Sequence, residues 1–244
     1  MRRCTVLLGI LFTLCACGKP PHEPARVRIA RENAPAVVVV NILKENGSTH
    51  TATGFVLTPD GLIATNRHVT EDALFINVTF NDGTVSGEAK PVAKAKDVDL
   101  ALLKIKASHL PTVRLGNSSR VAPGQAITVI GNPRRLQNTV SDGIISQIRQ
   151  RPNGTIWHQI SAPLSPSSSG SPVFNGHGHV IAVAFGSYNE SGNQNLNFAV
   201  PSNYLANLVY ASGYQLPATP PQTNPLIRHI RRSWAILTRP FRQH

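Results

Sequence analysis

Two runs of short apolar segments, each broken by Gly, Pro, Asn and Asp, constrain the fold of this 244-residue chain more than anything else in it. The first run holds Ala36 to Leu43, Thr53 to Leu57, Leu62 to Thr65, Leu74 to Phe80 and Leu100 to Ile105. Its turns are marked by Pro59-Asp60-Gly61 and by the hairpin signal Asn81-Asp82-Gly83. Leu115 to Gly124, rich in Asn, Ser and Pro, connects it to the second run. That run holds Gln125 to Ile130, Thr139 to Ile148 with a kink at Gly143, Thr155 to Ser161, Val173 to Phe174, Val180 to Phe185 and Leu196 to Val200. Segments this short, rich in Val, Ile and Thr and separated by tight turns, close into barrels or sandwiches. The predicted class is all-β, two β-barrels with one short helix over Asn203 to Ser212 that stops at Gly213.

Three residues stand out against that frame. His68 closes Thr53 to Val69, Asp99 opens the apolar run of Asp97 to Ile105, and Ser169 sits in the tight turn of Ser165 to Phe174. A serine hydroxyl is a poor nucleophile until an imidazole removes its proton, and the imidazole needs a carboxylate to fix its tautomer and stabilise its cation. His68 and Asp99 belong to the first set of strands and Ser169 to the second, so the predicted site lies between the barrels. Asp97 is a rival for Asp99; Asp99 immediately precedes the apolar run, whereas Asp97 lies further into a Lys-rich loop.

The chain opens on a targeting pattern: Arg2 and Arg3, then an apolar stretch from Thr5 to Leu14 that is too short for a stable membrane anchor. Leu14-Cys15-Ala16-Cys17 resembles a bacterial lipoprotein box, with Cys17 as the lipidated residue; an ordinary secretory signal is the alternative. Residues 1–17 are read as the signal, 18–32 as a tether, and 33–215 as the folded body. Cys4, Cys15 and Cys17 are the three cysteines, so the body has none, and thiol, zinc and redox chemistry fall away. His177 and His179 flank a glycine turn with no carboxylate or third histidine beside them; no metal and no cofactor is assigned. The formal net charge of +12 suits anionic partners such as acidic lipid. Export and the lack of any nucleic-acid motif exclude nucleic acid.

From Asn33 to about Gly213 the chain resembles the protease domain of the HtrA/Deg family, chymotrypsin-fold serine peptidases of the cell envelope. The order His68, Asp99, Ser169 is that of the chymotrypsin type, where subtilisins and α/β-hydrolases use other orders. Thr53-Gly54-Phe55 with Thr65-Asn66-Arg67-His68-Val69 follows the family's first block. Leu115-Gly116-Asn117-Ser118, Ile130-Gly131-Asn132-Pro133, Thr139 to Ser146 and Asn197-Phe198-Ala199-Val200-Pro201 follow later ones. The resemblance implies a chymotrypsin-like double β-barrel that hydrolyses peptide bonds in unfolded or damaged envelope proteins. It also implies an oxyanion hole from the backbone N–H groups of Ser167 and Ser169, and a substrate-pairing strand at Ala184, Phe185 and Gly186.

The chain departs from the family in two places. Members usually carry PDZ domains after the protease domain, whereas residues 216–244 leave no room for one. The family's nucleophile turn reads Gly-Asn-Ser-Gly-Gly, and here it reads Ser167-Ser168-Ser169-Gly170-Ser171. Ser167 in place of glycine is expected to disfavour the productive peptide orientation, and it supports the competing idea of a weak or inactive protein that holds extended peptides. After a Pro-rich linker, Leu226, Ile227, Ile230, Trp234, Leu237 and Phe241 recur near helical spacing among arginines. This 224–244 tail is either packed on the second barrel, disordered, or a basic amphipathic helix on anionic lipid near the tether.

Overall fold

The computed structural model describes residues 23–132, 138–187 and 196–217. Among the described residues thirteen strands and two α-helices form two barrels joined by a shared core. In the first barrel the strands are β1 (Val37–Lys44), β2 (Thr49–Val56), β3 (Leu62–Thr65), β4 (Ala73–Thr79), β5 (Lys90–Lys94) and β6 (Ala101–Lys104), in the order β4-β1-β2-β3-β6-β5. The sheet curls because residues between β4 and β5 run back along β4: Ser86 N–H donates to Val78 O at 2.8 Å and Ala89 N–H to Ile76 O at 2.7 Å.

The continuous apolar runs of this barrel have a simple cause. Side chains alternate across a strand, and here both faces are covered. Val38, Val40, Ile63 and Leu103 fill the barrel interior. Their neighbours Val37, Leu62, Ala64 and Leu102 point the other way, into the seam with the second barrel.

The second barrel uses β7 (Arg114–Leu115), β8 (Ala126–Gly131), β9 (Thr139–Gln150), β10 (Ile156–Ile160), β11 (Pro172–Phe174), β12 (His179–Ser187) and β13 (Asn197–Pro201). The order is β11-β8-β9-β10-β13-β12-β7, and an added β11–β12 pairing closes the ring. Its interior is narrow, with Ala162, Ala182, Ala184 and Ala199 among Ile127, Ile145, Ile160 and Ile181. Helix α2 (Ser202–Ala211) lays Leu205 and Val209 into the seam.

Three features differ from the sequence expectation. The tether assigned to 18–32 holds all but the last residue of helix α1 (Ala25–Asn33), whose Ile29 is buried in the seam and whose Arg28 donates to Gly176 O at 2.9 Å. Because charged residues surround that single buried isoleucine, the segment carries little apolar periodicity. Strand β5 reads Lys-Pro-Val-Ala-Lys and is mostly exposed, an edge strand with no alternation to reveal it. Strand β7, which runs into the start of the connector at Leu115, pairs in parallel with β12. Cys17 and the 224–244 tail lie outside the described residues.

Among the described residues one buried side chain is titratable. His158 on β10 is 2% exposed, and its Nδ1 has no partner. Burial pushes its pKa from 6.5 down to about 4. The unfolded chain therefore takes up a proton below pH 6.5 while the folded protein resists until about pH 4. This part of the stability is fully present above pH 6.5, is lost as pH falls to about 4, and amounts to about 3 kcal/mol. Urea unfolding of wild type between pH 7 and 4.5 is expected to show the loss, and His158→Leu to flatten it; equal slopes for both proteins would refute the assignment.

Candidate active site

The end of β3 leads directly to His68. Thr65 Oγ1 donates to Thr53 O at 2.8 Å, fixing the strand end, and buried Asn66 donates through Nδ2 to Asp99 O at 2.7 Å. His68 then begins a single 3₁₀ turn, His68–Thr70. Its backbone N–H donates to Asp99 Oδ1 at 3.0 Å, and its ring Nδ1 lies 2.7 Å from Asp99 Oδ2. Burial of Asp99 works against its charged form, but the hydrogen bonds from the His68 ring and backbone, with the His68 and Arg67 charges, outweigh it and hold the carboxyl below its ordinary range. An ionised carboxylate can only accept, so the neutral ring carries its proton on Nδ1 and keeps Nε2 free as a base.

Asp99 sits between buried Val98 and Leu100, which anchor it beside His68. Asp97 is exposed and, among the described residues, makes no hydrogen bond or ion pair. The choice between the two aspartates thus follows from which one the buried run fixes.

Ser169 reaches the same place from the loop between β10 and β11. The loop is braced at every residue around it: Ser168 N–H donates to Ser165 O at 3.0 Å, Ser171 N–H to Ser168 O at 3.1 Å, and Gly170 N–H to Ala184 O at 2.8 Å. From the first barrel, Thr53 N–H donates to Ser169 O at 2.8 Å. Ser169, Ser167, His68, Val69 and Ile42 line one pocket of about 190 Å³. No hydrogen bond joins Ser169 Oγ to His68 among the described residues; such contacts are often long until substrate binds.

Ser167 has φ 74°, in the left-handed region. It follows Pro166 in the turn closed by the Ser168-to-Ser165 bond, and a proline followed by a positive φ is the pattern of a type II turn. An L-residue other than glycine costs about 1–2 kcal/mol there. The serine nevertheless takes a left-handed conformation that glycine adopts without cost. Among the described residues neither the Ser167 nor the Ser169 N–H donates to a protein acceptor.

On β12 the predicted substrate strand divides. Ala184 is fully buried, and its N–H and C=O are engaged by Ser171 O and Gly170 N–H, so it braces the nucleophile loop instead of pairing with substrate. Phe185 and Gly186 are half-buried at a register shift against β13. Trp157 packs edge-on to Phe185 with ring centroids 4.7 Å apart, Phe198 lies 5.5 Å from Trp157, and the Arg151 guanidinium sits 3.7 Å above the Trp157 ring. The sequence gives no signal for this cluster, because its members come from β10, β12, β13 and a turn.

A trypsin-like peptidase domain model matches residues 52–183. The chain belongs to that family. Among trypsin-like peptidases it is 38% identical over 160 residues to a "Probable periplasmic serine endoprotease DegP-like" of Marinomonas sp., covering 64% of this chain and 34% of that one. It is 39% identical over 155 residues to a protein of the same name from Chlamydia trachomatis, covering 62% and 31%. The chain thus spans about a third of the length of these curated relatives. Two solved trypsin-like peptidases share the fold. An HtrA-type protease, AlgW with tripeptide, superposes with TM-score 0.71 at 28% identity, over 77% of this chain and 63% of that one. The serine endoprotease from Yersinia pestis gives 0.68 at 29%, over 80% and 68%.

Proposed function

We propose that this trypsin-like peptidase is a serine endopeptidase of the periplasm, acting on unfolded or damaged polypeptides by acyl transfer through Ser169, His68 and Asp99. The observation that carries the proposal is the 2.7 Å His68–Asp99 bond opening on the pocket that also holds Ser169. His68 Nε2 takes the Ser169 proton as Oγ attacks the scissile carbonyl, and Asp99 steadies the imidazolium that forms. The unengaged N–H groups of Ser167 and Ser169 receive the developing oxyanion. His68 then returns the proton to the leaving amine, and water repeats the sequence on the acyl-enzyme. Phe185 and Gly186 border the substrate backbone. The periplasmic location draws on the names of the relatives and on the export pattern of residues 1–17, with Cys17 as the lipid site.

The left-handed φ of Ser167, the conformation glycine adopts without cost, supports the catalytic reading over a protein that merely holds peptides. A fluorophosphonate probe, which modifies only an activated serine, tests the proposal: wild type is labelled and Ser169→Ala is not. An unlabelled wild type, or equal labelling of both, would overturn it.

A further inference from the structure

Ser167 is a chiral residue held where glycine is comfortable, and the first barrel supplies the restraint. Ser167 Oγ lies 2.9 Å from Thr51 Oγ1 on β2. Two residues along the same strand, Thr53 Oγ1 donates to Ser167 O at 2.9 Å and accepts from Asn132 N–H at 3.1 Å. A β-strand sends alternate side chains to one face, so Thr51 and Thr53 meet the turn together.

We propose that Thr51 is a positioning residue for the oxyanion turn: its hydroxyl, bonded to the Ser167 hydroxyl, holds Ser167 left-handed so that the Ser167 and Ser169 N–H groups face the pocket. Rotating Ser167 back to an ordinary negative φ would swing its Cβ and hydroxyl away from Thr51 and its N–H out of the pocket. Glycine at this position needs no such restraint, since the left-handed region costs it nothing. The serine side chain that introduces the strain also supplies the group that offsets it. The catalytic consequence rests on the serine-hydrolase function proposed above; the hydrogen bond does not.

The test is a double-mutant cycle on the full chain with Thr51→Val, Ser167→Gly and their combination, plus Thr51→Ser as the variant that keeps the hydroxyl. Hydrolysis of an unfolded substrate gives kcat and KM, and thermal melting gives Tm. Thr51→Val is expected to lower kcat about tenfold with KM within about twofold. Thr51→Ser recovers the rate, and Thr51→Val costs no further kcat once Ser167→Gly is present. In melting, Thr51→Val lowers Tm by roughly 2–4 °C in the wild-type background and by much less beside Ser167→Gly. Equal losses from Thr51→Val in both backgrounds, or a change in KM alone, would overturn the positioning role. A wild type that neither hydrolyses substrate nor takes the fluorophosphonate label refutes the hydrolase proposal instead, and the melting cycle then decides on the hydrogen bond by itself.

Discussion

Ser169→Ala and His68→Ala are each expected to lower kcat/KM for casein by on the order of a thousandfold or more, with Tm nearly unchanged. Neither side chain carries the fold: both line an open pocket. Asp99→Asn belongs to the same class of loss, since the amide can donate to Nδ1 and stabilise the wrong tautomer of His68. Asp97→Asn keeps most of the activity, because its exposed carboxylate holds no partner among the described residues. The losses of the three site variants do not add, since the groups act as one unit. Cleavage that survives Ser169→Ala would rule out the acyl-transfer mechanism, and matching losses from Asp97→Asn and Asp99→Asn would reverse the choice of aspartate.

Gly170→Ala has the largest expected effect on the nucleophile's support. Gly170 has φ 87°, and a Cβ there would stand 1.9 Å from Thr53 O and 2.6 Å from Thr65 Oγ1. Neither neighbour can yield cheaply. Thr53 O is backbone, and Thr65 Oγ1 is already bonded to it. The loop must therefore leave β2, drawing Ser169 with it. Activity is expected to fall at least about a hundredfold and Tm by roughly 10 °C. Gly154→Ala is the control: its φ is 80°, but no atom lies within 4 Å of the added methyl, so it meets only the left-handed penalty. If the two alanine variants melt together and hydrolyse alike, the overlap at Thr53 has no consequence and the account of the loop is wrong.

Much of this molecule is legible in its sequence, for local reasons. Val37 to Lys44 and Leu62 to Thr65 declare themselves because every residue or nearly every one is apolar or β-branched. Asp99 is legible because the buried run that anchors it follows at once. What escapes is non-local. Thr51 and Thr53 look like ordinary strand threonines, and their bonds to Ser167 span 116 and 114 residues. Asn66 is part of a familiar block, yet its bond to Asp99 O becomes visible only when β3 and β6 are paired. Helix α1 escapes for the opposite reason: Ile29 is the one hydrophobic side chain it buries, and one apolar side chain makes no pattern.

Thr53 spends all its polar groups at one joint: its N–H on Ser169, its carbonyl on Thr65, and its hydroxyl on Ser167 and Asn132. That makes the seam between the barrels a mechanical fuse. A small opening there, too slight to wet the interior of either barrel, withdraws the β2 brace from the nucleophile turn while both barrels stay folded. Inactivation by denaturant, pressure or heat would then run ahead of unfolding, and it would reverse as the barrels close again.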